Sequence, residues 1–196
     1  MNQVSATDLS YSYGAKLLFQ GVSFAVASGE LLILKGGNGT GKSTMLCLLA
    51  GLRKVQQGKI EIQARLSYLG ADKNGLYLNL SAMANLSFWQ ALLDQAHSKE
   101  QIKEKLKIWG LAHPLLHLYP VATFSTGMKR RLALVRTILA DAPLWLLDEP
   151  LLGLDQEGVL LFQKALTEHL NNGGSCIMAS HDAQFSEAFA ARSLFF

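Results

Sequence analysis

The sequence predicts an α/β fold with a parallel-sheet core, an N-terminal antiparallel β layer and a helical insert, and three observations predict it. The apolar run Leu31, Leu32, Ile33, Leu34 feeds a glycine-rich loop, 36–44, that closes in Lys42-Ser43-Thr44 and opens a helix. A second apolar run, 144–147, ends in the carboxylates of Asp148 and Glu149. A third, 176–179, ends in Ser180-His181-Asp182. Continuous apolar runs this short read as strands buried on both faces, the mark of a parallel sheet. In such sheets ligands gather beyond the carboxyl ends of the strands.

The elements follow in order. Residues 4–13 and 17–26 read as strands of a hairpin or small antiparallel layer, with Val22, Phe24 and Val26 alternating against Ser23 and Ala25 before the turn Ser28-Gly29. Beyond strand 31–34, a helix runs from about Lys42 to Gly51. Short strands at 59–62 and 66–69 precede an irregular stretch carrying Gly70, Asn74, Gly75 and Asn79. One helix starts near Ser81, and another follows the N-cap Ser98, runs to Trp109 and stops at Gly110. Residues 81–119 thus interrupt an otherwise alternating chain, and the helical subdomain reaches to about 140. Helical spacing places its aromatics Phe88, Trp89 and Trp109 in a core.

After Phe124-Ser125-Thr126-Gly127, a basic amphipathic helix carries Lys129, Arg130, Arg131 and Arg136 into strand 144–148. Gly153-Leu154-Asp155 opens a helix to Leu170, and Asn171-Asn172-Gly173-Gly174 turns into strand 176–179. A last helix and the strand 194–196 follow.

At 196 residues the chain fits one domain, 1–196. Its hydrophobic fraction is 49%, yet no apolar run approaches the roughly 18 residues of a spanning helix. Residues 1–5 lack the basic flank and apolar core of a secretory signal, which predicts a cytoplasmic protein. Cys47 and Cys176 lie far apart in apolar sequence and read as buried reduced thiols. A net charge of +3 without an aromatic-interleaved basic stripe points to no nucleic-acid partner. Lys99, Lys103, Lys105 and Lys107 alternate with Glu100 and Glu104 on a solvated helix face.

The chemistry is concentrated at three strand ends. Gly36-Gly37-Asn38-Gly39-Thr40-Gly41-Lys42-Ser43 fills the pattern Gly-x-x-x-x-Gly-Lys-Ser. Backbone N–H groups converge on phosphate oxygens in such a loop, where glycine permits turns a Cβ would block. Lys42 reaches the β- and γ-phosphates, the Ser43 hydroxyl ligates Mg²⁺, and the helix dipole faces the anion. Mg²⁺ needs only one or two protein ligands, which Ser43 and Asp148 supply. Glu149 can orient or deprotonate the attacking water. Taken singly, the acid pair would pass as a helix cap and His181 as a surface histidine. Neither reading accounts for three polar groups ending three predicted parallel strands.

On these residues the chain resembles the ATP-binding cassette (ABC) ATPases over essentially its whole length. The resemblance takes 36–44 as Walker A, 144–148 as Walker B with the catalytic Glu149 following, 153–155 as the D-loop and His181 as the switch histidine. Phe124-Ser125-Thr126-Gly127-Met128 stands where the family's Leu-Ser-Gly-Gly-Gln signature belongs. Tyr13 matches the aromatic that stacks on adenine. The implied ATP contacts are Tyr13, Gly36, Asn38, Gly39, Gly41, Lys42, Ser43, Thr44, Ser125, Gly127 and Asp155, with Mg²⁺ on Ser43 and Asp148. The resemblance also implies a head-to-tail homodimer with two ATP molecules at its interface, each held by Walker A of one copy and by Ser125 and Gly127 of the other. The implied partners are integral membrane transporter subunits, and the implied location is peripheral, on the cytoplasmic face of the inner membrane.

Two positions depart from the family. Met128 replaces the signature glutamine, and no glutamine falls between Gln63 and Gln90, where the Q-loop residue belongs. Asp72 is the nearest stand-in, with Asn74 next. Tyr68-Leu69-Gly70, 85–89 and 142–150 look like the ATPase of the haem exporter of cytochrome c maturation. Thr126 through Arg130 also resembles multidrug and ABC-2 exporter ATPases. Rivals from other classes are a soluble ABC ATPase, which needs a second cassette or a coiled-coil insert, and a small-metabolite P-loop kinase, which needs neither signature nor D-loop.

Overall fold

A computed structural model describes residues 2–71, 74–94, 97–112, 118–182, 185, 187, 189 and 191–196. The chain opens with β1 (Asn2–Tyr13) and β2 (Lys16–Ala27), an antiparallel hairpin turned at Gly14. β3 (Leu31–Lys35) enters the glycine loop and α1 (Lys42–Leu49) leaves it. β4 (Gln57–Ile62) pairs antiparallel with β1 on the edge opposite β2, and β5 (Leu66–Leu69) joins a second sheet. Then come α2 (Ala82–Leu92), α3 (Lys99–Ile108), a 3-10 turn at Val121–Thr123 and α4 (Thr126–Leu139). β6 (Leu144–Asp148), α5 (Gln156–Asn171), β7 (Ser175–Ala179) and β8 (Arg192–Phe195) complete the chain.

The structure divides into two compact units, one of Met1–Tyr68, Ala142–Pro150 and Thr167–Phe196, the other of Leu69–Asp141 and Leu151–Leu166. The first unit holds a three-stranded sheet in the order β2-β1-β4. The second sheet runs β5-β6-β7-β3-β8, and its pairs β3/β7, β6/β7 and β3/β8 are parallel. Leu32 faces Ile177 and Leu34 faces Ala179 in register, and these residues with Leu144 and Leu146 join Met45, Leu46 and Leu49 of α1 in one core. The alternate residues Ile33, Trp145, Leu147, Cys176 and Met178 are buried too. Burial on both faces is why these strands carry unbroken apolar runs rather than alternation.

The second unit is helical, and its caps follow the sequence. Ser81 Oγ accepts the Ala84 N–H at 3.3 Å. Ser98 and Gln101 make a reciprocal capping box at 3.2 and 2.7 Å, satisfying two amides at the start of α3. Ile102 and Leu106 bury one face of α3, while Lys99, Lys103 and Lys107 stay exposed with Glu100 and Glu104.

Two local expectations need correction. Trp109 is in the core, but Phe88 is 39% exposed and lies edge-on to Tyr77 at 4.7 Å. Helical spacing fixes which residues share a face, and here neighbouring surface residues cover that face only in part. The helix read as basic and amphipathic, α4, encloses most of its basic residues, because Arg130, Arg131 and Arg136 are all buried. The heads of Arg130 and Arg131 reach polar partners, and that of Arg136 lies over the Trp89 ring at 4.8 Å, which composition alone does not reveal. Both cysteines are free thiols; Cys176 is fully enclosed, its pKa pushed up by burial, and Cys47 is half-buried beside the Tyr68 hydroxyl at 3.6 Å.

Candidate active site

In the first unit, the phosphate loop requires glycine twice over. Gly36 has φ 148°, and a Cβ there would lie 2.7 Å from the Phe196 carbonyl oxygen and 2.9 Å from Thr40 Oγ1. Gly41 has φ 116°, and its Cβ would meet Phe19 Cδ1 at 2.8 Å. Conformation and space therefore both exclude other residues at these two points. Lys42 is buried, and its Nζ donates to the carbonyls of Gly36 at 2.9 Å and Gly37 at 2.8 Å. Asn38 and Gly39 are exposed, as is Ser43 in the first turn of α1; Thr44 is half-buried. Gly41 caps α1 without a side-chain hydrogen bond, so the opening amides of that helix are left to a ligand.

The other two strand ends lie on the same sheet edge. Asp148, the last residue of β6, faces Ala179 in register and is only 4% exposed. Glu149 turns out of the strand at φ 47° with its N–H on the Ala179 carbonyl at 3.0 Å. A left-handed conformation in a residue with a Cβ costs on the order of 1–3 kcal/mol and is concentrated at functional sites. The turn carries Glu149 Oε1 to 3.3 Å from Nε2 of His181, which follows β7. Burial holds the Glu149 carboxyl above the usual carboxylate range. His181 pulls it back down, Asp148 pushes it further up and Lys42 draws it down.

Tyr13, at the end of β1, is 60% exposed with the Arg53 guanidinium over its ring at 5.2 Å. The ligands available to a metal here are the Ser43 hydroxyl and the Asp148 carboxylate. Hard oxygens in that number suit Mg²⁺, which keeps most of its shell as water and phosphate oxygen. Among the described residues no group of three or more His, Cys, Asp and Glu forms an all-protein cage.

In the second unit, Ser125 is the N-cap of α4, its Oγ accepting the Met128 N–H at 3.2 Å. A Cβ on Gly127 would lie 2.9 Å from the Gly153 carbonyl, so glycine at 127 is what lets the start of α4 approach the 153–155 turn. That turn is held by Arg131, whose Nη2 donates to Asp155 Oδ1 at 2.6 Å and Glu157 Oε2 at 2.9 Å. Its Nη1 donates to the Trp109 carbonyl at 3.1 Å. Asp155 also caps α5 through the Gly158 N–H at 3.0 Å, and these bonds lower its pKa, with Arg131 the largest cause.

A sequence model described as ABC transporter matches residues 19–152. The chain belongs to that family. It is 38% identical over 189 residues to the cytochrome c biogenesis ATP-binding export protein CcmA of Rhodobacter capsulatus, covering 96% of this chain and 86% of the relative. CcmA of Roseobacter denitrificans is 40% identical over 179 residues, covering 91% and 84%. A solved ATP-binding subunit of an ABC transporter superposes with a TM-score of 0.86 at 26% identity, covering 95% of this chain and 82% of that one. As an ABC transporter ATPase, the chain binds nucleotide and couples ATP hydrolysis to transport through membrane subunits. No helix among the described residues is long and apolar enough to cross a membrane itself.

Of the residues expected to act in this ABC ATPase, the phosphate loop, Asp148, Glu149, His181 and Tyr13 fall in the first unit, and Ser125, Gly127 and Asp155 in the second. Asp72 lies outside the described residues. Asn74, the next candidate at the Q-loop position, accepts from Arg130 Nη1 at 2.9 Å, and the same nitrogen bonds the Gly70 carbonyl at 2.9 Å. Sequence reasoning missed the structural parts played by Arg130, Arg131 and Arg53. The signal for Arg131 was its place on the helix opened by Ser125, together with Asp155 and Glu157 downstream. Nothing local flagged Arg53.

Proposed function

We propose that this ATPase holds MgATP on Tyr13, on the loop residues Gly36, Asn38, Gly39, Gly41, Lys42, Ser43 and Thr44, and on Asp148, and works as a homodimer at the cytoplasmic face of the inner membrane. Each site is completed by Ser125, Gly127 and Asp155 of a second copy. The proposed cargo pathway is the export step of cytochrome c maturation, with haem as the transported class. What carries this reading is that the similarity to the CcmA proteins spans 96% of the chain rather than the shared motifs alone. The Thr126–Arg130 stretch keeps a second reading, the ATPase of a multidrug or ABC-2 exporter.

Mg²⁺, when bound, neutralises charge on the phosphates. Lys42 and the loop amides bind and orient those phosphates, while Glu149 takes the proton of the attacking water, with His181 beside it. Deleting the gene and restoring it as wild type or Glu149→Gln tests the pathway. Under the proposal, haem-stained c-type cytochromes vanish on deletion and return only with the wild type. Normal cytochromes in the deletion strain, with raised drug sensitivity, would select the second reading.

The base end is tested separately. Tyr13→Ala is expected to weaken ATP binding by about 1–3 kcal/mol, the range of base–aromatic stacking, while Tyr13→Phe and Tyr13→Trp preserve it. Stacking uses the flat face of the base, so GTP competes nearly as well as ATP. Calorimetric affinities of the folded variants decide this, and equal values for wild type and Tyr13→Ala would remove the tyrosine from the site.

A further inference from the structure

Tyr13 stands at the tip of the hairpin with most of its surface exposed, yet it is not loose. The connection after α1 holds it from below. The β1–β4 ladder ends at the pair Ser10 and Gln57. Beyond it the side-chain amide of Gln56 takes over as a backbone strand would, accepting the Ser12 N–H at 2.8 Å and donating to the Ser12 carbonyl at 3.0 Å. Three residues earlier, Arg53 Nη1 donates to the Tyr11 hydroxyl at 3.4 Å, and its guanidinium lies 5.2 Å from the centre of the Tyr13 ring. On the other side of the hairpin turn, Lys16 Nζ reaches the Gly39 carbonyl at 3.5 Å, tying the hairpin to the phosphate loop.

We propose that Arg53 is the second half of the base-binding platform, backing one face of the Tyr13 ring and leaving the other face to the purine. This rests on the reading of Tyr13 as the base-stacking residue. Two physical effects make the backing matter. An exposed ring free to change rotamer must be ordered when a base stacks on it, and a guanidinium already holding it removes part of that cost. A cation on one face also draws on the π-system, so the ring is held by cation–π attraction in the orientation the base needs. The phosphates are not involved, because Arg53 acts only through the ring.

The test is calorimetric titration of the whole chain with MgATP, MgGTP and inorganic tripolyphosphate, using wild type, Arg53→Ala, Tyr13→Ala and the double variant. Arg53→Ala is expected to weaken both nucleotides about two- to five-fold, the range for an exposed cation–π contact, and to leave tripolyphosphate binding at the wild-type value. In the Tyr13→Ala background the further change on removing Arg53 is expected to vanish. Tighter nucleotide binding by Arg53→Ala would mean that the guanidinium competes with the base, and overturns the proposal. Equal weakening of tripolyphosphate would mean simple charge attraction, and also overturns it. If Tyr13→Ala weakens nucleotide binding and Arg53→Ala does not, the backing role fails and the tyrosine platform stands. If Tyr13→Ala changes nothing, the platform reading falls and this one falls with it.

Discussion

Glu149→Gln is expected to lower ATP turnover by about 10²–10⁴-fold, the contribution of a positioned general base, while ATP binding is retained. Glutamine keeps the side chain's shape and can still hydrogen bond, but it cannot take a proton. The same substitution removes a half-buried negative charge next to Asp148. It is therefore expected to favour the ATP-bound dimer, seen as an earlier peak on sizing chromatography in MgATP. Turnover close to wild type, measured with the membrane subunits present, would take Glu149 out of the chemistry.

The environment of Glu149 adds a pH signature. A base must be ionised to act, so activity falls as pH drops through its pKa, and burial has raised that pKa above the ordinary carboxylate range. The acid limb of the kcat profile should accordingly lie above that of an exposed glutamate. His181 is the largest influence pulling the pKa back down. His181→Ala is expected to move the acid limb to still higher pH, in addition to lowering the plateau. An acid limb at the same pH in both proteins would assign that limb to another group.

The strand-end constellation was legible because each part is written locally. A four-residue apolar run, a turn and a polar pair are neighbours in sequence. Parallel pairing of β3, β6 and β7 then brings Leu34 and Asp148 opposite the same residue, Ala179. The helix starts were legible for the same reason, since Ser81, Ser98 and Ser125 cap amides three residues ahead.

What the sequence hid depends on long side chains meeting across the chain. Arg130 meets Asn74 over 56 positions, and Gln56 meets Ser12 over 44. An arginine that ends on a buried carbonyl has the same local pattern as one that ends in water, which is why α4 read as amphipathic and basic. The proposal of Glu149 as the base comes from its place after Asp148. The φ of 47° that turns it toward His181 could not be read from residue type, because a glutamate in that conformation is uncommon.

Lys42→Ala is expected to reduce ATP affinity by roughly ten- to hundred-fold, which corresponds to the 1.5–3 kcal/mol of a hydrogen bond to a charged group. In the structure its ammonium is already inside the loop, on the Gly36 and Gly37 carbonyls, so little ordering of the side chain remains to oppose phosphate binding. Removal of the ammonium leaves the loop amides to face the phosphate charge alone. Because Lys42 acts at the phosphates, tripolyphosphate affinity should fall with ATP affinity. This is the opposite of the pattern expected at Tyr13, where only the nucleotides weaken. Lys42→Ala also loses the two loop hydrogen bonds, each worth about 1 kcal/mol net, so a melting curve separates damage to the loop from loss of binding. A folded Lys42→Ala protein that binds ATP and tripolyphosphate as tightly as wild type would confine the lysine to bracing its own loop.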